Sequence, residues 1–489
     1  MGKWRAWLWP VRAHELGKFL PLFFMKLFAS LNFSVLATVK DTVIVTGTGG
    51  GAEVIPVLKG GVVIIFAFLT MLAYTKLSNH ISRRNVFYVM LTPFLFFFLF
   101  YGFVLYPHQE ALSPTTSADW LLAQLGTQHQ HWVAVYRYWM HSMFFVVAEI
   151  WGGVVIGLLF WGFVNQITNV KDAARFYVLY ATGGHVGALI SGALVFSCTS
   201  MLRAHDYGLI INILMLVVSI VCCMIIALYW YANRNLAVDY KLKEKSNLAL
   251  KDSLMYIARS PYLGLIALMV IGYGLSVNLV EVTWKSLVKL QYPDPNAYQT
   301  FMSMIQFVLG TTSMILAIAF SGGIMRKFGW YLTAQCTPIV LGLCSLAFFV
   351  LYFLFPDLHS TTVTIFSLTP LMLLVICGAV HNIACKSMKY CFFDTTKEMA
   401  YIPLDNEAKT KGKAAVDLVG ARFGKTGSSW IQILLIDGIG SGSILAVVPL
   451  LMPVVLVVVG LWIKAVHGLN KRFTDVQQQP EAAAQFEIT

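Results

Sequence analysis

The sequence predicts an all-α polytopic membrane protein with about twelve transmembrane helices. Three observations support this fold class: 58% of the 489 residues are hydrophobic, only 12% are charged, and the mean hydropathy is +0.71. A soluble domain carries roughly 25% charged residues, so lipid is the natural solvent for most of this surface. Backbone amides in lipid must be paired within the spanning structure, and apolar runs of about 20 residues without alternation indicate helices.

The apolar runs, taken in chain order, predict twelve spans. They lie at 20–46, 54–75, 86–106, 133–159, 175–198, 207–232, 262–284, 299–320, 330–355, 364–391, 413–436 and 443–466. The first ten residues are basic and Trp-rich, but the first apolar run continues into a full span. No cleavable signal peptide is therefore expected.

Lys and Arg are distributed unevenly between the predicted loops. They are frequent in every second loop, whereas Pro107–His131 and Pro356–Thr362 contain none. Positive charge collects in cytoplasmic loops, so the alternation predicts an even number of spans with both termini in the cytoplasm. The same rule accounts for the net charge of +12 better than a nucleic-acid partner does. A basic path for an anionic solute is a second source that composition does not separate from the first.

The longest charged interior segment, Asn233–Ser260, divides the spans six and six. This predicts an N-terminal six-helix bundle (1–232), a cytoplasmic linker (233–261), a C-terminal six-helix bundle (262–472) and a disordered tail (473–489). Two six-helix halves joined in this way are the plan of the major facilitator fold, a 6+6 arrangement. In that fold the first, fourth, seventh and tenth helices line a central cavity.

Charges within the predicted spans are candidate transport residues, because a charge at bilayer depth is costly unless it faces protein or water. Lys40 interrupts the first span; the alternative is a lysine that reaches the interface and pairs with Asp41. Glu149 lies midway along the fourth span, without a charged neighbour in sequence, so it needs a partner on another helix. Glu281 lies in the seventh span, four residues before Lys285, and a local ion pair is its alternative role.

Two further basic groups lie near the cytoplasmic ends of spans. Lys386 and Lys389 end the tenth span, where they either bind an anion or mark the membrane boundary. Lys413, Arg422 and Lys425 run into the eleventh span, whose N-terminus favours phosphate through its free amides and dipole. The stretch Gly420–Thr426 looks like a phosphate-binding P-loop, but three residues instead of four separate its glycines and no buried strand precedes it.

Several stretches resemble motifs of one known family. The fourth span reads Glu149-Ile-Trp-Gly and continues to Phe160-Trp-Gly-Phe-Val-Asn-Gln-Ile-Thr168. Other motifs of that family are similar to Glu281–Ser286, Lys397–Asp405, Lys411–Ala415 and Arg422–Lys425. Over nearly its whole length the chain resembles the ATP/ADP translocases, the nucleotide transporters of obligate intracellular bacteria and plastids.

The resemblance implies import of nucleotides across a bacterial inner membrane, by ATP/ADP counter-exchange or with protons. It also implies functional charges at Lys40, Glu149, Glu281 and Lys413. Exchangers of the family often carry Arg-Asp-Thr before the lysine of helix one, where this chain has Ala37, Thr38 and Val39. The missing charges allow a different nucleotide range or proton coupling.

These observations lead to a hypothesis of alternating access by a monomer in the lipid bilayer. Phosphates would bind Lys40, Lys413 and either Arg422 or Lys425. Glu149 and Glu281 would pair with the lysines in the empty site or carry a proton. The base would stack on an aromatic side chain from a short set: Trp151, Phe160 or Trp161.

A sugar-phosphate antiporter of the major facilitator type would share a basic cavity and is the alternative transporter class. An enzyme embedded in the membrane is the rival from another class, and it would need a metal set or a nucleophile with its base. His141, His185 and His381 are scattered, and the eight cysteines lack metal-ligand spacing, so no metal or other cofactor is expected. The cysteines are interpreted as small apolar residues.

Overall fold

A computed structural model describes residues 11–168, 170–236, 260–320, 323–358, 367–402, 404, 413, 416 and 420–477. The regular elements in these ranges are helices, as the composition predicts. In chain order the long ones are α1 (Ala13–Gly47), α2 (Gly51–His80), α3 (Arg84–Leu105), α4 (Trp139–Ile167), α5 (Arg175–Met201), α6 (Tyr207–Asn235), α7 (Pro261–Gln291), α8 (Pro295–Ile318), α9 (Gly329–Leu354), α10 (Pro370–Ala400), α11 (Ala421–Ile439) and α12 (Val448–Arg472).

Eleven of these helices, all except α11, are long and apolar enough to cross a membrane. Each coincides with a predicted span, which confirms the all-α membrane fold class. The predicted eleventh span, 413–436, overlaps α11 only from residue 421 onward within the part of the chain that is described. Three charged residues, Arg422, Lys425 and Asp437, lower the apolar character of α11.

The connection between α3 and α4 contains three short helices, Gln109–Leu112, Thr115–Leu125 and Gln130–Arg137. The fourth span was expected to begin at residue 133, but the backbone leaves the helical conformation at Tyr138. The membrane helix therefore begins at Trp139. Arg137 forms an ion pair with Asp119, which joins the last two short helices.

The predicted linker (233–261) lies almost entirely outside the described residues, as does most of the predicted tail (473–489). The basic segment from Asp405 to Val419 is described only at residues 413 and 416. The division into bundles 1–232 and 262–472 stays a prediction.

By their packing, the described residues fall into two units. The first comprises those within Met1–Val54, Gly61–Leu242 and Tyr292–Met314. Its central helix is α1, which packs against α4, α5 and α6. The Asn32 side chain of α1 donates a hydrogen bond of 2.9 Å to the carbonyl of Val218 on α6. Stacked rings such as Phe87–Tyr229, with centroids 3.7 Å apart, fill the core of this unit.

The first unit includes most of α8, which contacts α1 and α5. A Cβ atom on Gly192 of α5 would lie 2.5 Å from the backbone nitrogen of Phe307, and one on Gly310 would lie 2.7 Å from that of Leu189. These two glycines allow the α5 and α8 backbones to approach closely. Polar contacts join the same region, since the Gln299 amide donates to the Thr38 hydroxyl at 3.0 Å.

The second unit comprises the described residues within Ile55–Gly60, Lys243–Gln291 and Ile315–Thr489. Its central helix is α7, which packs against α10, α11 and α12. Gly274 of α7 crosses Gly424 of α11, and a Cβ atom on Gly274 would lie 2.9 Å from the Gly424 Cα. The Trp284 indole of α7 donates to the carbonyl of Val375 on α10 at 2.8 Å.

Several membrane helices change locally to π-helical winding. The changes include Leu58–Val62 in α2, Gly152–Phe160 in α4 and Lys389–Phe393 in α10. The first holds Lys59, the third holds Lys389 and the second begins three residues after Glu149, whereas a further stretch in α3, Tyr101–Leu105, holds no charged residue. Such winding is frequent at functional sites, because it alters the direction in which nearby side chains project.

Candidate functional site

Lys40 of α1 lies at the centre of a buried ion-pair cluster in the first unit. Its ammonium nitrogen lies 2.9 Å from Asp41 Oδ1 and 3.2 Å from Glu149 Oε2 on α4. The same ammonium lies 4.2 Å from the centroid of the Phe145 ring. The structure brings Lys40 and Glu149 together from two helices, and it also contains the Lys40–Asp41 pair that the sequence offered as an alternative.

The burial of Lys40 is the notable feature of this cluster. Only 6% of its side chain is exposed, so the lysine does not extend to water at the membrane interface. With both carboxylates ionised, one positive and two negative charges give the cluster a formal charge of −1. Because an isolated buried ion is costly, the Lys40 ammonium stabilises both carboxylates, although these three groups keep an excess of one negative charge.

Glu281 of α7 organises a second cluster, in the second unit. Its Oε1 lies 3.0 Å from Lys285 Nζ and 3.1 Å from Lys386 Nζ on α10. The local pair that the sequence allows is thus present, and Lys386 joins it from another helix. One carboxylate and two ammonium groups give a formal charge of +1. Lys285 is 1% exposed whereas Lys386 is 29% exposed, so only Lys386 is accessible to a solute.

Lys59 of α2 contacts the same region of the second unit. Its ammonium donates a hydrogen bond of 3.1 Å to the Asn278 side chain, three residues before Glu281 on α7. Lys59 is not among the residues that the sequence singled out as candidate transport residues. The signal that marks it is its position in an apolar stretch, in the π-helical segment Leu58–Val62.

The remaining predicted basic residues lie on α10, on α11 and at residue 413. Lys389 pairs with Asp394 at 2.8 Å and lies 4.8 Å from the Tyr390 ring centroid. Lys413 pairs with Glu398, so the structure does not place it in the ion-pair cluster of Glu281. Arg422 and Lys425 are exposed on α11.

The two predicted base-stacking tryptophans differ in accessibility. Trp151 is fully buried, donates to the Ala29 carbonyl at 3.1 Å and packs edge-on against Phe94. These contacts are those of a residue that joins α1, α3 and α4. Trp161 is partly exposed beside Tyr177, with ring centroids 5.0 Å apart. Of the two, Trp161 offers a ring face to a ligand.

No group of three or more metal-binding side chains occurs among the described residues. All eight cysteines are free thiols, of which Cys222, Cys385 and Cys391 are buried and Cys223 is exposed. The buried histidines take part in packing: His381 contacts the Ser345 hydroxyl at 3.0 Å, and His141 contacts the Tyr101 hydroxyl at 2.9 Å. The charged chemistry of the described membrane region therefore consists mainly of lysines and carboxylates.

Comparison with known proteins gives one consistent family. The family model described as TLC ATP/ADP transporter matches residues 1–473. ADP,ATP carrier protein 1 of Chlamydia pneumoniae is 44% identical, over 96% of this chain and 94% of that protein. The chloroplastic ADP,ATP carrier protein 1 of Arabidopsis thaliana is 38% identical, over 98% and 77%. ADP,ATP carrier protein 1 of Rickettsia conorii is 35% identical, over 95% of each chain.

Solved structures of other transporters share the fold. A bacterial homologue of the iron transporter ferroportin has a TM-score of 0.60 at 12% identity, covering 93% of this chain and all of that one. A nucleoside transporter has a TM-score of 0.57 at 11% identity, covering 91% and 99%. At such low identity the likeness concerns architecture alone, and it confirms the predicted transporter fold.

Proposed function

Because the chain belongs to the TLC ATP/ADP transporter family, we propose that it carries nucleotides across a membrane by alternating access. The observation that carries this function is the family match over residues 1–473, together with relatives named ADP,ATP carriers that align over almost the whole chain. The membrane is the inner membrane of an intracellular bacterium, both termini are cytoplasmic, and the working unit is a monomer. The chain acts as a transporter and not as an enzyme.

Lys40 is proposed to bind phosphate oxygens of the nucleotide. In the structure its ammonium is occupied by Asp41 and Glu149, so an incoming phosphate must displace at least one carboxylate. Displacement favours exchange between two discrete states, since the ammonium is paired either with Glu149 or with the substrate. A carboxylate that loses contact with Lys40 no longer has that positive charge beside it, and a proton on Glu149 would remove its negative charge.

Glu281 with its two lysines is proposed as the second phosphate-binding group. Its formal charge of +1 attracts an anion, and the more exposed Lys386 is the ammonium that a phosphate reaches first. Lys59 adds a further positive charge to this region through its contact with Asn278. Lys413, Arg422 and Lys425 are proposed to guide the nucleotide at the cytoplasmic side, where an exposed basic surface raises the local anion concentration.

Counter-exchange of ATP and ADP is the proposed transport mode, because the relatives are named as carriers of both nucleotides. In counter-exchange the carrier holds a nucleotide whenever it changes its orientation, so the buried lysines remain paired with an anion throughout the cycle. Proton symport is the alternative mode, and protonation of Glu149 or Glu281 would then accompany each nucleotide.

The test is uptake of labelled ATP into proteoliposomes that contain either ADP or no nucleotide. We expect uptake to require internal ADP and to persist when an uncoupler is present. If ATP enters empty vesicles and an uncoupler abolishes this uptake, the transport mode is proton symport and not counter-exchange. No uptake of labelled ATP, together with uptake of labelled hexose phosphate that ATP does not inhibit, would show that the solute is a sugar phosphate instead of a nucleotide.

Variants test the assigned residues in the same vesicles. We expect Lys40→Ala and Glu149→Ala to lose uptake while retaining expression. Lys464→Ala, an exposed lysine on α12, is the matched control and should keep the activity of the parent protein. Full activity in both Lys40→Ala and Glu149→Ala would refute the assignment of the first cluster.

A further inference from the structure

A groove of about 730 Å³ lies between the beginning of α3 and the second half of α6, within the first unit. Polar and apolar side chains line opposite parts of it. The polar part consists of Ser82, Arg84, Asn85 and Tyr88, and the mainly apolar part of Cys223, Ile226, Ala227 and Trp230. None of these residues belongs to either buried ion-pair cluster, so the groove is separate from the proposed nucleotide path.

Arg84 gives the polar part of the groove its charge. Its side chain is exposed, and no described carboxylate lies within ion-pair distance of it. The Tyr88 hydroxyl is shielded from solvent, yet no hydrogen-bond partner for it exists among the residues described. A buried polar group without a partner is costly, so an oxygen atom supplied by a ligand would satisfy it.

The other part of the groove provides an apolar surface. Ile226 and Ala227 lie inside the membrane span of α6, and Trp230 lies closer to its C-terminal end. Trp230 is 46% exposed, and the Arg234 guanidinium carbon lies 5.5 Å from the centroid of its ring. Tryptophan with arginine at the end of a span is typical of the level of the lipid headgroups.

We propose that this groove binds one anionic phospholipid from the cytoplasmic leaflet. The phosphate would contact Arg84 and the first turn of α3, where the Asn85 amide already bonds to the Ser82 hydroxyl at 3.4 Å. The Tyr88 hydroxyl would donate to an ester or phosphate oxygen. One acyl chain would lie along Ile226 and Ala227, so a single ligand matches both the charge and the apolar lining.

The volume and the position of the groove favour a lipid over a soluble anion. A cavity of roughly 300–1,000 Å³ accommodates a ligand of moderate size, and phosphate alone would leave the α6 surface uncovered. The cytoplasmic leaflet also carries anionic lipids, which basic residues beside a span attract. The inference does not depend on the identity of the transported solute.

The test compares phosphatidylglycerol with phosphatidylcholine on the purified, delipidated full chain. We expect native mass spectrometry to retain phosphatidylglycerol on the parent protein and the midpoint of thermal unfolding to rise with that lipid alone. Arg84→Gln should weaken phosphatidylglycerol binding about tenfold, because one charge-assisted contact is lost. Ile226→Trp, which fills the apolar part, should weaken it by a similar factor.

Arg203→Gln is the matched control, since it removes an exposed arginine between α5 and α6, near the start of α6 and away from the groove at its second half, and it should leave lipid binding unchanged. Equal binding of the two lipids, or full phosphatidylglycerol binding by both groove variants, would overturn the proposal. If inorganic phosphate or ATP gives the same Arg84-dependent rise in the unfolding midpoint, the groove is a site for soluble anions and the lipid is excluded. Uptake assays on Arg84→Gln would show independently whether transport persists.

Discussion

Lys40 is paired with two carboxylates, Asp41 and Glu149, so Glu149 shares this lysine with Asp41. Removing the lysine therefore leaves two buried carboxylates that repel each other. Neutralising Glu149 leaves a complete Lys40–Asp41 pair. The cost of breaking a buried pair by removing one partner is about 3–5 kcal/mol, so the two changes should differ strongly.

The prediction is that Lys40→Met lowers the unfolding midpoint more than Glu149→Gln does. Thermal unfolding of the purified variants, followed by intrinsic fluorescence, measures the difference. The double variant Lys40→Met/Glu149→Gln should recover part of the lost stability, because it no longer holds two buried carboxylates that repel each other. A Glu149→Gln variant that is less stable than Lys40→Met would show that the cluster is organised around Glu149.

Lys285 and Lys386 contact the same oxygen of Glu281, but their burial predicts separate effects. Lys285→Met should lower the yield and the unfolding midpoint, because that lysine is enclosed by protein. Lys386→Gln should change stability little and raise the KM for nucleotide about tenfold, because a phosphate loses one charged contact. Unfolding midpoints and saturation curves for uptake, measured on the same preparations, separate the two roles. Equal effects of both changes on KM would contradict this division.

The sequence identified Lys40, Glu149 and Glu281 because each charge interrupts an apolar run. The sequence indicated the local partners Asp41 and Lys285, but it did not indicate that Lys40 pairs with Glu149, because that contact depends on which helices become neighbours. Lys386 was recognised as a basic residue, but its carboxylate partner is on another helix. Asn278 is uncharged, so nothing in the sequence indicated that its side chain would accept a hydrogen bond from Lys59.

Glycines allow two pairs of helices, α5 with α8 and α7 with α11, to approach closely. In the second unit Gly274 and Gly424 let α7 and α11 cross at backbone contact, which no side chain larger than hydrogen allows. Gly264 lies on the same helix, α7, but a Cβ atom added there would meet no neighbouring atom within 4 Å. A substitution at Gly274 therefore tests the close helix contact, and the same substitution at Gly264 controls for the general effect of replacing a glycine in α7.

We predict that Gly274→Leu lowers the fraction of monodisperse protein in size-exclusion chromatography severalfold. Gly264→Leu should behave like the parent chain or gain slightly, because leucine has the higher helix propensity. Co-elution of Gly274→Leu with the parent protein at full yield would mean that α7 and α11 separate easily. The prediction would then be wrong, and the crossing would have no structural importance.

Element positions were predictable where apolar runs were long and uninterrupted. The sequence placed α2 and α3 within about five residues at each end, began the first span seven residues after Ala13, and began α4 too early, because Val133–Val135 continue the apolar pattern across the break at Tyr138. The predicted start of the eleventh span, residue 413, lies in a segment that the structure describes only at residues 413 and 416. The local π-helical windings have no pattern in sequence that distinguishes them from ordinary helix.

At the scale of the whole molecule, the predicted six-plus-six plan agrees with the fold of known transporters. Composition and hydropathy predicted that the helices are surrounded by lipid, and they predicted about how many helices there are. Both predictions need only the local apolar runs of the sequence. The packing units were not predictable in the same way. The first turns of α2 pack with the second unit and most of α8 packs with the first, and such contacts depend on the final arrangement of helices.

This exchange of segments has a consequence for the two halves of the chain. Residues 1–242 expressed alone would lack the α8 segment that contacts Gly192 and Thr38, and residues 243–489 would lack the Lys59 contact to Asn278. We predict that each fragment alone is degraded, whereas co-expression of both restores nucleotide uptake by complementation in trans. Fragment accumulation on immunoblots and uptake by the co-expressing cells measure this. Independent, stable accumulation of either fragment would show that half of the gene already encodes a self-sufficient fold.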